Sequence, residues 1–268
     1  MTEVALALAQ RCDLLRSLHI PGTPLILANV WDVASARAVV AAGFPVVATT
    51  SGGLAATLGY EDHQGAPAGE MLAAAARIAR AVEVPVTVDA EAGYGMAPGD
   101  LVEALCNAGA AGCNLEDTDH ATGRLVDAGR NAEWLAAVRH AAAQRGYGLV
   151  VNARIDVFLS RKGEQPPIDL LEEAITRARS YGAAGADCVF PILLHEADAI
   201  AAFVGAAQVP VNVLATPQAP PITQLAELGV ARVSYGSSIH RHLMHELAAF
   251  LARIDRPQAS PRESSRAP

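Results

Sequence analysis

The sequence predicts an α/β protein whose single domain is a (β/α)8 TIM-type barrel. The first observation is a series of eight short runs rich in Val, Ile and Leu, separated by segments with helical spacing. The second is that these runs are continuously apolar, as is typical of strands buried on both faces. The third is length, because eight β/α units typically need about 250 residues and this chain has 268.

The strand candidates follow one another at fairly even intervals. They are residues 25–29, 46–50, 86–90, 112–116, 149–154, 187–191, 211–214 and 232–236. The clearest helical segments, several of which end at glycine as helices commonly do, are 34–43, 68–82, 99–109, 132–146, 170–182, 222–229 and 238–254. An open doubly wound sheet is the alternative, although no G-x-G-x-x-G sequence indicates a dinucleotide site. We assign residues 1–255 to the barrel and expect a disordered tail over 256–268, where the composition changes to RPQASPRESSRAP.

Composition narrows the class of protein. Hydrophobic residues make up 51% of the chain and charged residues 18%, which favours a large buried core over disorder. The net charge of −8 and the absence of a long basic run argue against nucleic acid as a partner. No apolar stretch approaches the roughly 18 residues that span a bilayer, and the N-terminus does not resemble a signal peptide. With four scattered cysteines, the simplest expectation is a cytoplasmic protein with reduced thiols and no membrane partner.

Polar residues occur where several predicted strands end. The stretch VDAEAGYG at 88–95 places Asp89 and Glu91 at the end of the third strand. In a barrel of this type the carboxyl ends of the strands meet at one mouth, where the chemistry takes place. The other polar strand ends are Thr49-Thr50-Ser51-Gly52-Gly53 followed by Asp62, Glu116-Asp117, and Arg154 with Asp156.

Carboxylates from three consecutive loops would repel one another unless a cation neutralised them. Hard oxygen ligands without Cys or His favour Mg²⁺ or Mn²⁺. An arginine opposite them, Arg154, could hold a carboxylate or phosphate group of a substrate through two hydrogen bonds. Each residue also has a structural alternative: an acid can cap a helix, Arg154 can pair with Asp156 or Glu116, and Ser51-Gly52-Gly53 can form a turn.

Taken together, these stretches resemble the isocitrate lyase/phosphoenolpyruvate mutase superfamily. The resemblance implies a barrel that binds Mg²⁺ (or Mn²⁺) and a small carboxylate substrate of the α-keto acid or enol type. It also implies a homodimer or homotetramer in which the last helix, here 238–254, is exchanged between subunits. The matching stretches are ANVWDVASA (28–36), TSGGLAATLGYED (50–62), VDAEAGYG (88–95), AGAAGCNLED (108–117) and NARIDVF (152–158).

The resemblance also implies a role for each acid at the mouth. Asp89 matches the direct metal ligand of the family. Asp62, Glu91 and Glu116 match the acids around the metal, which often act through water. Glu91 stands where many members have Asp.

The substrate-binding positions follow in the same way. Ser51, Gly52 and Gly53 match the loop whose backbone N–H groups hold a substrate carboxylate, and Arg154 matches the arginine that binds the substrate. Asn212 matches an Asn of the lyase branch more loosely.

The chain departs from the family after the fourth strand. Its loop reads TDHATGRLVDAG (118–129) and lacks both the K-K/R-C-G-H motif of the classical lyases and the longer Lys- and Asn-bearing loop of the phosphonate branch. It resembles a short-loop member in which His120, Arg124 and Asp127 are the evident proton carriers or anion binders. A solvated histidine is the alternative for His120. We take Asp62, Arg154 and His120 as the candidate catalytic residues.

Three functions remain open at this point. The first is a Mg²⁺-dependent lyase or decarboxylase that cleaves a C–C bond of an α-keto acid or related carboxylate through an enolate. The second is C–P chemistry like that of phosphoenolpyruvate mutase or phosphonopyruvate hydrolase. The third is a non-catalytic protein that binds keto acids, which the four acids at the mouth disfavour.

Overall fold

A computed structural model of the chain describes residues 3–159 and 168–254. The predicted tail at 256–268 lies outside these residues. The strands are β1 Leu25–Leu27, β2 Asn29–Val30, β3 Val47–Thr49, β4 Val86–Asp89, β5 Gly112–Glu116, β6 Thr118–Asp119, β7 Arg124–Leu125, β8 Val150–Ile155, β9 Cys188–Pro191, β10 Asn212–Leu214 and β11 Arg232–Ser234. The helices are α1 Glu3–Ser17, α2 Val33–Ala41, α3 Ser51–Leu58, α4 Ala68–Arg80, α5 Pro98–Ala108, α6 Ala128–Gln144, α7 Ile168–Ala183, α8 Ala197–Ala207, α9 Ile222–Glu227 and α10 Ser238–Ala252.

The strands form two parallel sheets that follow one another around a ring. One sheet has the order β2-β3-β4-β5-β8-β9 and the other β1-β11-β10. Only Ala28 separates β1 from β2 along the chain. On the other side, a parallel bridge joins Val189 to Val211, and the Val189 N–H donates to Pro210 O at 2.9 Å. The predicted α/β fold with parallel strands is therefore confirmed, in the strand order of a (β/α)8 barrel.

Both faces of the strands are buried, as their continuous apolar character predicts. Every residue of β3, β5, β8 and β9 is buried. Helix α1 covers the amino ends of the strands, where Arg16 donates through Nη2 to Gly148 O (2.8 Å) and through Nε to Asp187 Oδ1 (2.9 Å). The opposite, carboxyl ends remain available for a site.

Local structure differs from expectation in three places. The first barrel strand is interrupted at Ala28, after which the side chain of Asn29 binds Thr49 O and the N–H groups of Tyr235 and Gly236. Residues 51–53 begin helix α3 instead of forming a loop. The loop after the fourth barrel strand contains a short antiparallel hairpin, β6–β7, in which Asp119 faces Arg124.

The last helix has an exposed apolar side. Helix α10 has no buried residue, and Leu243, Leu247 and Phe250 are 45%, 47% and 56% exposed. In the part of the chain that the structure describes, no helix is long and apolar enough to cross a membrane.

Candidate active site

Two loops at the carboxyl ends of the strands carry unusual backbone conformations. His63 and Gln64 in one loop, and Glu91 and Tyr94 in the other, have positive φ angles between 49° and 63°. Residues other than glycine rarely adopt this region of backbone conformation, and such backbone strain concentrates at functional sites. The two loops are joined directly, because the Gln64 N–H donates a short hydrogen bond to Glu91 Oε2.

Asp89 ends strand β4 and points one oxygen at helix α3. Its Oδ2 accepts a hydrogen bond from the Ser51 N–H at 3.2 Å, and its own N–H donates to Thr49 Oγ1 at 2.9 Å. Its Oδ1 is buried without a hydrogen-bond partner. Burial raises the pKa of this carboxyl group, with a smaller contribution from Asp62, although Arg154 and the Ser51 N–H act in the opposite direction. The buried negative charge is thus incompletely compensated.

Asp62 lies against the first turn of α3, where a glycine leaves it room. A Cβ atom on Gly52 would lie 2.6 Å from Asp62 Oδ2 and 2.8 Å from Ser237 Oγ. The other oxygen of Asp62, Oδ1, is buried and unpaired. Because the first N–H groups of a helix have no intrahelical partner, those of Gly52 and Gly53 remain available to an anion, whereas Ser51 uses its N–H on Asp89.

Glu91 is the second acid of VDAEAGYG and is 2% exposed. Burial, followed by the charge of Asp89, raises its pKa to about 7, despite the hydrogen bond from Gln64. The turn after it needs glycine, since Gly93 has φ 80° and a Cβ atom there would lie 2.7 Å from Cη2 of Trp134.

Glu116, at the end of β5, is bound by two cationic or protonatable groups. His120 Nε2 lies 2.5 Å from its Oε1, and Arg154 Nη1 forms a close ion pair with its Oε2. The hydrogen bond to Glu116 raises the pKa of His120, although partial burial opposes it. The His120 ring also lies near that of His63, with ring centroids 5.6 Å apart. The loop that carries His63 therefore meets the hairpin loop that carries His120 beside Glu116.

Arg154, near the end of β8, is 8% exposed and held on two sides. Besides Glu116, it binds Asp156 through Nε to Oδ1 (2.6 Å) and through Nη2 to Oδ2 (3.2 Å). The charges of Glu116 and Asp156 outweigh burial and raise its pKa, so the guanidinium stays protonated. The ion pairs considered as a structural alternative are present, and they leave part of the five-donor guanidinium for a ligand.

A further buried group supports this arginine through Asp156, a role that was not identified from the sequence. Asp117 is fully buried and accepts from Asp156 N–H (2.9 Å), Tyr181 Oη (2.7 Å) and Arg177 Nη1 (3.0 Å). Arg177 also donates to Val126 O at 2.8 Å. Arg177 and Tyr181 share a face of α7 at i and i+4, but nothing in that spacing indicates a partner 60 residues away.

Asn212 lies on β10 inside the barrel wall. It is fully buried and donates from Nδ2 to Ser234 Oγ at 3.3 Å, while its Oδ1 is unpaired. The neighbouring strand contributes Arg232, 1% exposed, whose Nη2 donates to Asn114 Oδ1 at 3.1 Å. These contacts connect Asn212 to the barrel interior and not to the acids at the mouth.

The acids fit Mg²⁺ through a small number of direct ligands. In residues 3–159 and 168–254, no three Asp, Glu, His or Cys side chains are arranged to hold one metal ion together. Mg²⁺ usually takes only one or two carboxylates, with water and substrate completing its shell. The buried, unpaired Oδ1 atoms of Asp89 and Asp62 meet that need, while Glu91 and Glu116 are engaged by other groups.

Comparison with known proteins places the chain among related enzymes. The family model of phosphoenolpyruvate phosphomutase matches residues 15–255. The protein Rv1998c of Mycobacterium tuberculosis (strain H37Rv) is 37% identical over 82% of this chain and 80% of its own. An oxaloacetate decarboxylase of Pseudomonas savastanoi pv. phaseolicola is 30% identical over 85% and 75%. A crystal structure from Burkholderia cenocepacia J2315, provisionally assigned as a phosphonomutase, is 42% identical and superposes with a TM-score of 0.86 over 91% of this chain and 100% of that one.

Proposed function

This chain belongs to the isocitrate lyase/phosphoenolpyruvate mutase superfamily, and from that premise we propose that it is a Mg²⁺-dependent enzyme cleaving a C–C bond of an α-keto acid or related carboxylate. The observation that carries the proposal is the pair of unpaired, buried carboxylate oxygens on Asp89 and Asp62. These two oxygens lie at the mouth formed by the carboxyl ends of the barrel strands, where Arg154 supplies a positive charge. The oxaloacetate decarboxylase relative supports C–C chemistry on this scaffold.

Asp89 and Asp62 would hold the metal directly, with Glu91 and Glu116 acting through water; Mn²⁺ could replace Mg²⁺. When bound, the ion supplies charge stabilisation for the negative charge that develops on a carbonyl oxygen. The raised pKa values of Asp89, Glu91 and Glu116, each caused mainly by burial, support a site whose negative charge Arg154 alone does not compensate.

Arg154 orients the substrate by binding its carboxylate with the donors that Asp156 and Glu116 leave free. The N–H groups of Gly52 and Gly53 at the start of α3 would bind a second oxygen of the same anion. Asn212 would contribute only from below the mouth. Ser51 has a positioning role, because its N–H fixes Asp89.

His120 is our candidate for the group that donates the proton that C–C cleavage requires. In a decarboxylation, the bond between the carbon next to the carbonyl and a carboxylate breaks, and CO₂ leaves. The electron pair of that bond forms the C=C bond of an enolate whose negative charge lies on the carbonyl oxygen, and His120 then donates a proton to the carbon. His120 stands over Glu116 on the loop after the fourth barrel strand, where the classical lyases carry a Cys. Asp62 would orient water at the same site.

The 42% identity to the Burkholderia cenocepacia protein, whose assignment as a phosphonomutase is provisional, favours a second candidate function. That function is cleavage or transfer of a C–P bond. The same acids and arginine would serve it, because both reactions develop charge beside an α-keto carboxylate. The oligomer is also a proposal: we expect a homodimer or homotetramer in which α10 packs on a neighbouring subunit.

A substrate screen separates these functions. The full chain is incubated with Mg²⁺ and α-keto acids, 2-hydroxy di- and tricarboxylates or phosphonopyruvate, with detection of keto-acid products, CO₂ and phosphate. We expect C–C products that disappear with EDTA and in Asp89→Asn. Phosphate from phosphonopyruvate alone supports the C–P candidate. Saturable binding without any product contradicts both and leaves a keto-acid-binding protein.

A further inference from the structure

A pocket of about 380 Å³ opens beside Glu116, between the hairpin loop and the start of α6. Its lining includes Glu116 and His120 on the site side and Arg130, Asn131 and Trp134 on the helix side. A volume of this size suits a small organic ligand. Because Glu116 belongs to both, the pocket adjoins the candidate active site.

Asn131 is the feature of this pocket that points to a ligand. It is 6% exposed, and its backbone N–H is used by Asp127 O at 2.9 Å. Within the described parts of the chain, its side-chain amide forms no hydrogen bond and is not among the polar groups fully shut off from solvent, so it is open to the pocket that it lines. The amide of a residue that lines a cavity can be satisfied by a ligand in that cavity.

The surroundings of Asn131 favour an anion attached to a short apolar chain. The pocket lies at the amino end of the 17-residue helix α6, where the helix dipole favours negative charge, and Arg130 contributes an exposed guanidinium at the rim. Trp134 supplies an apolar wall whose ring is fixed by close packing on Gly93.

The acids near the pocket are already engaged. Glu116 is held by Arg154 and His120, and Asp127 Oδ1 caps α6 by accepting from the Arg130 N–H at 3.0 Å. Asp119, at the exposed rim, accepts from the Ala121 N–H and from Thr122 Oγ1, each at 2.9 Å. An entering carboxylate would therefore meet donors on the helix side.

We propose that this pocket, defined by Arg130, Asn131 and Trp134, is a subsite for a second, distal carboxylate of the substrate. The inference rests on the proposed function and narrows it to dicarboxylic substrates, whose α-keto end lies at the Asp89–Arg154 mouth. The intervening carbon chain packs on Trp134, and the distal carboxylate accepts hydrogen bonds from Asn131 and Arg130.

The chain has two tryptophans, so a Trp31→Phe background makes Trp134 the sole indole reporter. In the full chain with Mg²⁺, glutarate and pentanoate are titrated while Trp134 fluorescence is followed. These probes share five carbons and differ by one carboxylate. We expect a saturable change for glutarate with a Kd at least about tenfold below that for pentanoate, which reflects charge-assisted hydrogen bonds.

Variants in the same background locate the binding. Asn131→Leu and Arg130→Gln should each weaken glutarate binding by about ten- to a hundredfold and pentanoate binding much less. Arg145→Gln is the matched control, because Arg145 lies past the other end of α6 and pairs with Glu103; it should bind like the parent. The exposed Arg130 keeps the test decisive if Asn131→Leu folds poorly.

The subsite is overturned if Trp134 shows no saturable response to glutarate, or if Arg130→Gln and Arg145→Gln bind it equally well. These are binding measurements, so they are independent of turnover. Glutarate binding that depends on Arg130 in a protein that cleaves no C–C bond would retain the subsite and reject the proposed function. Cleavage of α-keto acids without that dependence would do the reverse.

Discussion

Arg154 binds both carboxylate oxygens of Asp156, through Nε at 2.6 Å and Nη2 at 3.2 Å. Asp156 is in turn fixed by its backbone N–H on Asp117 and by Thr118 Oγ1, which lies 2.6 Å from Asp156 Oδ2. The guanidinium is therefore held in one orientation before any substrate arrives. Such pre-organisation lowers the entropic cost of binding an anion.

Arg154→Lys should lower kcat/KM for the substrate found in the screen by about ten- to a hundredfold. An ammonium group cannot reproduce the planar guanidinium, whose N–H groups can bind both oxygens of a carboxylate. It should also lower the melting temperature, since Asp156 loses its two-point partner. Both quantities are measured on one preparation. If melting temperature falls and kcat/KM stays near wild type, Arg154 is a structural ion-pair partner only.

Gly52→Ala should weaken Mg²⁺ binding by about tenfold or more, the usual consequence of displacing a group that orients a metal ligand. The new Cβ would lie 2.6 Å from Asp62 Oδ2 and push that carboxylate away. Isothermal titration with Mg²⁺ provides the readout. Gly69→Ala in α4, where a Cβ meets nothing within 4 Å, is the control and should bind Mg²⁺ normally. Unchanged binding by Gly52→Ala would remove Asp62 from the metal site.

The fold was largely predictable and the site only in part. Continuous apolar runs placed all eight barrel strands, because burial on both faces leaves a strong local signal. The pairing of Glu116 with His120 across one loop was not predictable, and neither was the contact of Arg177 with Asp117 across 60 positions, because neither has a local pattern. Helix α3 was missed since Ser51-Gly52-Gly53 has turn-like composition although it starts a helix.

His19 should contribute a loss of stability in mild acid, whereas Glu91, whose pKa burial raises to about 7, contributes the opposite change over the same pH range. Burial, with a smaller effect of Arg232, lowers the pKa of His19 to about 4, so between pH 6.5 and 4 the unfolded chain binds the extra proton. From pH 7 to pH 5 this should cost about 2 kcal/mol of unfolding free energy. Urea unfolding of the wild type and of His19→Gln at both pH values isolates this contribution.

The control for His19 is a second histidine on the surface. His19→Gln should shift the difference in unfolding free energy between pH 5 and pH 7 by about 2 kcal/mol in favour of pH 5, whereas His140→Gln, at an exposed position, should retain the wild-type difference. Equal pH dependence in wild type and His19→Gln would show that His19 does not contribute.

Deleting residues 238–268 should destroy the oligomer or the fold, because it removes the exposed apolar side of α10. Deleting 257–268 alone should change little. Light scattering gives the mass of each form, and a monomeric mass for the intact chain would contradict the proposed packing of α10 on a neighbouring subunit.

The most direct test of the proposed metal site is isothermal titration of Mg²⁺ into the wild-type chain and into Asp89→Ala. Asp89 offers a buried oxygen without a partner and is fixed by Ser51 on one side and strand β4 on the other, so its loss should abolish or strongly weaken binding of one Mg²⁺ per chain. We expect saturable binding by the wild type and none measurable by the variant under the same conditions. Equal binding by the two proteins, or no binding by either, would contradict it.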